Sequence, residues 1–332
     1  MKPKTNILSK FVKKFQGRQS INVLICTHTD LDGEASLFAC HKALTEHFSQ
    51  LTLNITVVLM NYPKTPAETK LPPGKFDLGF ILDHSFTEET VDILQYVHDA
   101  IEPGGLIWFD HHIVSEDVIK LNLPWLQDDY VVISGGRCGA LITWDELMGG
   151  PAPRGIMLTD DYDRWVHSDE DSRHLNCTAY EMSYPIDDAN FMAAILGNDE
   201  LLEGYLARGK ELWRKEKAKH WGRRKRGLMR AQLPDGTWCY AINTFGFNSD
   251  IFGRYYKEAV VCVLYFWDGE DYNYSLYSNG HYDCAEFCKF WGSEKAADGS
   301  KIGKNGGGHV GAAGCTTSRL LVNNTQRVKD VT

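Results

Sequence analysis

The sequence predicts an α/β protein: a parallel sheet with helices on both faces, then a helical linker, then a smaller α/β domain. Three observations carry this. Over roughly the first half of the chain, short apolar runs alternate with helical stretches, the pattern of a parallel sheet covered on both faces. The segment 191–230 is helical in pattern and becomes strongly basic. Beyond it, strand-like runs return, bounded by turn signals.

Taken in order, residues 21–26 form the first buried-strand candidate, and a helix begins near Gly33 and runs through Ala35, Leu37, Phe38 and Ala39. Residues 53–60 give a second strand, followed by a proline-rich loop, and residues 78–82 and 106–109 give two more. Between these two, residues 87–101 read as a helix whose start is marked by Ser85 with Glu88 or by Thr87 with Thr90. Residues 131–133 make a fifth strand, and a helix spans about 137–148 after SGG. The basic linker carries Lys210, Arg214, Lys215, Lys217, Lys219, Arg223, Arg224, Lys225 and Arg226. Strands at 238–243, 260–266 and 272–277 follow, with a helix at 284–291. The expected division is a first domain over 1–195, the linker over 196–230, a second domain over 231–322 and a tail over 323–332.

At 332 residues the chain suits two domains better than one core. A formal charge of −9 argues against a general nucleic-acid coat, though not against a small anionic substrate held locally or through metal ions. Nine cysteines with no CxxC pair read as reduced, mostly buried thiols of a cytoplasmic protein. No apolar run approaches the ~18 residues of a membrane span. Ile7, Leu8, Phe11, Val12 and Phe15 share one helical face ringed by lysines, which suits a helix docked on its own domain and also a membrane-surface or transit helix.

The chemistry-bearing residues fall at the ends of the predicted strands. His28, Asp30 and Asp32 follow the first strand in HTDLDG, Asp83 ends FDLGFIL, and Asp110, His111 and His112 follow LIWF. In open α/β sheets the carboxyl ends of the strands form the ligand crevice, so three separate segments converge there. So many carboxylates repel one another unless protons or cations intervene. Mixed imidazole and carboxylate donors without thiolates favour manganese, with magnesium, cobalt or zinc as other choices. Near the other end stands GGGHVGAAG at 306–314. Gly306, Gly307 and Gly308 let backbone N–H groups converge on an anion, with His309 at the rim, and the same residues also suit a tight turn packed on a neighbouring backbone.

These motifs together resemble the DHH phosphoesterase superfamily with its C-terminal DHH-associated domain, a likeness that extends over nearly the whole chain. The segment DYDRW at 161–165 fits the position of the family's fourth acidic motif, often DTG followed by an aromatic; here Asp163 replaces the glycine. Asp161 is the ligand the resemblance implies, with the choice among Asp160, Asp161 and Asp163 open. The resemblance implies one metal held by His28, Asp30 and Asp83, and a second held by Asp32, Asp83, His111 and Asp161, with Asp83 bridging. It further implies that Asp110 orients a ligand from behind, that His112 faces the scissile phosphate, and that His309 with Gly306, Gly307 and Gly308 binds another phosphate or the terminal group of the substrate.

Within the superfamily, HTDLDG, the YDxW-type fourth motif and SLYS before GGGH are closest to the nanoRNase group of short-oligonucleotide hydrolases. The expected activity is hydrolysis of short oligoribonucleotides or linear dinucleotides to mononucleotides, with two divalent ions, first Mn2+, activating a water. Mg2+ or Co2+ could substitute. The alternatives are a 3′-phosphoadenosine 5′-phosphate phosphatase or other small phosphoester or polyphosphate hydrolase, and, from another class, a non-catalytic nucleotide-binding regulatory module. Tyr277 and Trp291 are candidate base platforms, and Arg137, at a helix start, is a candidate phosphate contact. A homodimer is compatible with the sequence, and no membrane partner is expected.

Overall fold

The computed structural model describes residues 7–63, 65–121, 123–329 and 331, without the side chains of Ile113, Val114 and His309. The chain divides into two units, Met1–Trp213 and Arg214–Thr332.

The first unit opens with helix α1 (Leu8–Lys14), strand β1 (Ser20–His28) and helix α2 (Leu31–His47). Strand β2 (Thr52–Met60), strand β3 (Leu78–Leu82), helix α3 (Val91–Asp99) and strand β4 (Leu106–Asp110) follow. Next come helix α4 (Ile113–Lys120), strand β5 (Tyr130–Ile133) and helix α5 (Gly139–Leu147). Helices α6 (Arg154–Asp163), α7 (Glu170–Glu181), α8 (Ala189–Ile195) and α9 (Asp199–Gly227) complete the series, α9 running across the division between units.

The five strands form one parallel sheet in the order β2-β1-β3-β4-β5. The chain steps from β1 out to β2 and then returns to β3 on β1's other side, so the strand order reverses between β1 and β3. That reversal opens a crevice at the carboxyl ends of the two strands. β3 and β4 are buried at every position, as strands covered on both faces must be. One face packs Ile21, Val23, Phe80 and Phe109 against α1, α2 and α5. The other packs Leu24, Ile81 and Trp108 against Ile93, Leu94 and Val97 of α3.

Helix α1 buries Leu8 and Phe11, with Phe15 just past its end, in the first of these cores. Four of the five apolar residues of this segment thus pack on their own domain, as expected of a docked helix, while Val12 stays 42% exposed. The capping box is Thr87 with Thr90, which opens a short 3-10 turn ahead of α3. No described helix is long and apolar enough to cross a membrane. All nine cysteines are free thiols, and all but Cys177 are buried.

The second unit holds strands β6 (Met229–Gln232) and β7 (Trp238–Asn243), helix α10 (Arg254–Glu258), and strands β8 (Val261–Trp267) and β9 (Tyr272–Tyr277). Helix α11 (Cys284–Gly292) and strands β10 (Gly303–His309), β11 (Ala312–Thr317) and β12 (Asn323–Arg327) complete it. Its seven-stranded sheet has the order β10-β11-β9-β8-β7-β6-β12. β12 pairs antiparallel with β6, so residues expected to form a tail instead close one edge of the sheet. Alternation along β8 sends Val261, Val263 and Tyr265 toward α11, and Cys262 and Leu264 toward Ile251, Phe252 and Tyr255.

Candidate metal centre

The end of β1, the turn after β3 and the end of β4 bring their side chains to the reversal crevice. His28 closes β1, and Asp30 caps α2 by accepting from the Gly33 N–H at 3.0 Å. His28 Nδ1 lies 2.9 Å from Asp30 Oδ2 and 3.9 Å from Asp83 Oδ2. Asp83 follows β3 in the left-handed region, with φ 50°, a conformation that side chains other than glycine adopt at a cost. It is 1 % exposed, and neither of its carboxylate oxygens has a hydrogen-bond partner among the described residues.

On the other side of Asp83 stands His111, whose Nε2 lies 3.2 Å from Asp83 Oδ1, 3.3 Å from Asp163 Oδ2 and 3.7 Å from Asp32 Oδ2. Two sets of donor atoms therefore gather, His28 with Asp30 and Asp83, and Asp32 with His111 and Asp163, each within 4.8 Å of one another. A third set joins Asp83 to Asp110, His111 and His112.

The Asp32 carboxylate is positioned by the start of α5. The Gly139 N–H donates to Oδ2 at 2.6 Å and the Ala140 N–H to Oδ1 at 2.8 Å, so the positive end of the helix faces the anion. Close approach is what requires glycine: a Cβ on Gly139 would stand 2.7 Å from Asp83 Cβ. Asp110 works from behind. Its Oδ1 accepts from the His111 N–H at 2.8 Å and lies 2.7 Å from His112 Nδ1, while Ser115 Oγ donates to Oδ2. Burial alone would raise the Asp110 pKa, but the bonds from His112 and Ser115 outweigh it and hold the carboxyl below its ordinary value. Burial would lower the pKa of His112, and Asp110 reverses that too, leaving it raised.

Asp83 and Asp163 behave oppositely. Burial first, then Asp32 and Asp30, push both carboxyls well above the usual range. Asp163 Oδ2 is also buried without a hydrogen-bond partner among the described residues. Buried carboxylate oxygens left unpaired beside imidazoles are costly on their own, and cations satisfy them. The residues fit divalent metal ions.

The fourth acidic motif departs from what the resemblance implies. The structure brings Asp163, not Asp161, to His111 and Asp32. Asp161 instead accepts from the Ser168 N–H at 2.8 Å, from Ser168 Oγ at 2.5 Å and from the Asp169 N–H at 3.3 Å, tying the turn after α6. Asp160 accepts from the Cys138 N–H at 2.8 Å and is gripped by Arg164 Nε and Nη2 at 2.9 and 2.8 Å. On a helix, residues two apart point roughly 200° away from each other, so Asp161 and Asp163 cannot serve one site.

Other expected residues find different places. Arg137 pairs with Asp145 at 2.7 Å. Tyr277 is half-buried against Leu264 and the second unit's smaller core. Gly306, Gly307 and Gly308 lie within β10, paired with Cys315, Gly314 and Ala313 of β11 rather than curled into an anion nest. The close neighbour of Gly306 is α11: a Cβ there would meet the Cys288 carbonyl at 1.9 Å. The backbone of His309 ends the strand opposite Ala312, and its side chain lies outside the described set.

Several contributors were missed from sequence. Besides Gly139 and Ser115, the Tyr62 ring packs 5.0 Å from His28 and 5.1 Å from His84. Glu34, one turn after Asp30, is 1 % exposed with both oxygens lacking a hydrogen-bond partner among the described residues. A cavity of about 190 Å³ beside the metal cluster is lined by Asp30, Asp32, Asp163, Tyr162, Asn176 and Tyr184, among others. The acids of HTDLDG and Asp163 of DYDRW carried a sequence signal for it, whereas Tyr162, Asn176 and Tyr184 carried none.

No family model matches the sequence, and no curated protein matches it. Among solved structures, a DHH domain described as a member of the s1p family of ribosomal proteins aligns at TM-score 0.63 and 16% identity, covering 92% of this chain and 85% of that one. The chain has the fold of a DHH-domain protein. Two further alignments are looser. One is to PggH, a pGpG-specific phosphodiesterase from Vibrio cholerae, at TM-score 0.46 and 15% identity over 90% of this chain and 93% of that one. The other is to RecJ from Thermus thermophilus in complex with Mn2+, at TM-score 0.48 and 15% identity over 93% of this chain and 51% of that one.

Proposed function

We propose that this DHH-fold chain is a metal-dependent phosphodiesterase that hydrolyses short oligoribonucleotides or linear dinucleotides to mononucleotides. The observation that carries the reading is Asp83: buried, without hydrogen bonds among the described residues, and standing between His28 with Asp30 on one side and His111 with Asp163 on the other. His28, Asp30 and Asp83 would hold one divalent ion. Asp32, Asp83, His111 and Asp163 would hold a second, Asp163 taking the place first given to Asp161. Manganese suits this donor set best, with Mg2+ or Co2+ able to substitute. Bound there, divalent cations offset phosphate charge and make water acidic enough to supply a nucleophile near neutral pH.

The protein groups divide the remaining work. Gly139 and Ala140 hold Asp32 in one orientation. Asp110 fixes the His112 ring through Nδ1 and raises the His112 pKa, so that His112 keeps a proton nearer neutrality to deliver to the leaving oxygen. In the second unit, His309 and Gly307 are proposed to bind a phosphate; a Cβ on Gly307 would meet nothing within 4 Å, which leaves room there. The protein would work in the cytoplasm, and a homodimer is its proposed assembly.

The test is incubation of purified protein with Mn2+ and a panel of dinucleotides, longer RNA, 3′-phosphoadenosine 5′-phosphate and pyrophosphate, with products separated by chromatography. The reading expects mononucleotides from RNA dimers to tetramers. Turnover of phosphoadenosine phosphate or pyrophosphate alone would move the chain to the alternative hydrolase class. Nucleotide binding without turnover would make it a regulatory module.

A further inference from the structure

A second site stands out in the Arg214–Thr332 unit, at the end of the sheet where β7 and β8 finish together. Asn243 pairs there with Tyr265, whereas β8 begins at the opposite end, where Cys262 faces Tyr277 and Tyr277 faces Ala312. The site thus lies at the far end of this sheet from the turn between β10 and β11. It is a cavity of about 520 Å³ lined by Arg223, Asn243, Thr244, Phe245, Phe266, Trp267 and Asp268.

Its composition is unusual for a surface. Phe245 is 70% exposed and Trp267 49% exposed, large apolar area that folding alone does not use. The Phe245 and Phe266 rings stand 5.7 Å apart, and Trp267 packs on Tyr272 at 4.8 Å, so Phe245, Phe266 and Trp267 bring three aromatic rings to the cavity. Thr244 is 6% exposed, and its Oγ1 has no hydrogen-bond partner among the described residues. Thr244 thus brings an unpaired buried hydroxyl to the residues that line an aromatic pocket, and such a group calls for a polar partner.

Charge narrows the ligand. In a chain of net charge −9, residues 214–227 of α9 carry eight Lys or Arg against one Glu, and the exposed Arg223 among them lines the cavity. Aromatic faces with cations beside them hold single-stranded nucleic acid without sequence preference, bases stacking while cations track the backbone, and Arg223 is the cation that lines this cavity. The Asp268 carboxylate, fixed by the Glu270 and Asp271 N–H groups at 2.9 Å each, adds an acceptor for the amino edge of a base.

We infer that this pocket binds a nucleobase of single-stranded RNA, with Phe245 and Trp267 as stacking faces and Arg223 toward the adjacent phosphate. The inference deepens the proposed oligonucleotide hydrolase, but its test does not depend on hydrolysis. Binding of a fluorescently labelled single-stranded RNA decamer is followed by anisotropy, with chelator present so that the metal centre contributes neither cleavage nor cation-held phosphate. Phe245→Ala should weaken binding roughly tenfold, within the range of one lost base stack. Arg223→Gln should weaken it and flatten its salt dependence. Unchanged affinity in both variants would overturn the inference. So would Phe245→Ala shifting the protein's sedimentation rather than its RNA binding, since the aromatic patch would then be a self-association surface. Dinucleotide turnover by the unsubstituted protein is scored separately, so either reading can fail while the other stands.

Discussion

The Gly139 N–H donates to Asp32 Oδ2 at 2.6 Å, joining the start of α5 to an acid 107 residues earlier in the chain. This bond makes α5 part of the metal centre without lending it a side chain. Gly139→Ala should therefore damage the site, because the added Cβ would press on Asp83 Cβ at 2.7 Å and on Asp32 Oδ2 at 3.1 Å. Overpacking of this kind costs about 1–3 kcal/mol. Calorimetry with Mn2+ should show affinity lowered at least tenfold, and thermal melts should show a lower midpoint.

Asp161 and Asp163 should separate stability from metal binding. Asp161→Ala removes three hydrogen bonds at the turn after α6 and should lower stability by about 2 kcal/mol while keeping the full complement of bound ions. Asp163→Asn removes one of several mutually repelling carboxylates and should raise the melting midpoint in chelator, yet lose Mn2+. Counting free Mn2+ by electron paramagnetic resonance alongside thermal melts checks both.

Asp110 is a positioning residue, so its loss should change a pH profile and not only a rate. Asp110→Asn withdraws the charge that raises the pKa of His112. If His112 gives its proton to the leaving oxygen, activity falls as pH rises through its pKa, and the variant's alkaline limb should move to lower pH. Its kcat should fall about 10–100-fold, as for other groups that support metal ligands from behind.

Glu34 should make the metal-free protein less stable as pH rises. Burial first, then Asp188 and Asp30, push its pKa up to about 8 from an ordinary 4.5. With the folded value above the unfolded one, its contribution is present in full below pH 4.5, is lost progressively as pH rises, and is gone once pH passes about 8. Urea titrations in chelator between these limits should show a falling stability whose slope shrinks in Glu34→Gln.

Much of this was legible in the residues. The apolar runs of β1, β3 and β4 are buried on both faces, a condition that sequence expresses directly, and the acids that follow them mark the strand ends. The strand order that opens the crevice between β1 and β3 is set by long-range pairing and leaves no local trace. Asp161 and Asp163 illustrate a second limit: both stand in one motif, and only the packing of α6 decides which faces His111. Gly306 illustrates a third. The absence of a Cβ serves close approach equally to an anion or to a helix carbonyl, and here the carbonyl is that of Cys288.

The most direct test of the central claim is release of mononucleotides from a 5′-phosphorylated RNA dinucleotide in Mn2+, comparing the unsubstituted protein with Asp83→Asn, Asp163→Asn and Asp161→Asn. Turnover should be abolished by chelator, eliminated in both Asp83→Asn and Asp163→Asn, and retained in Asp161→Asn. Turnover surviving in Asp83→Asn, or lost in Asp161→Asn while kept in Asp163→Asn, would contradict the claim.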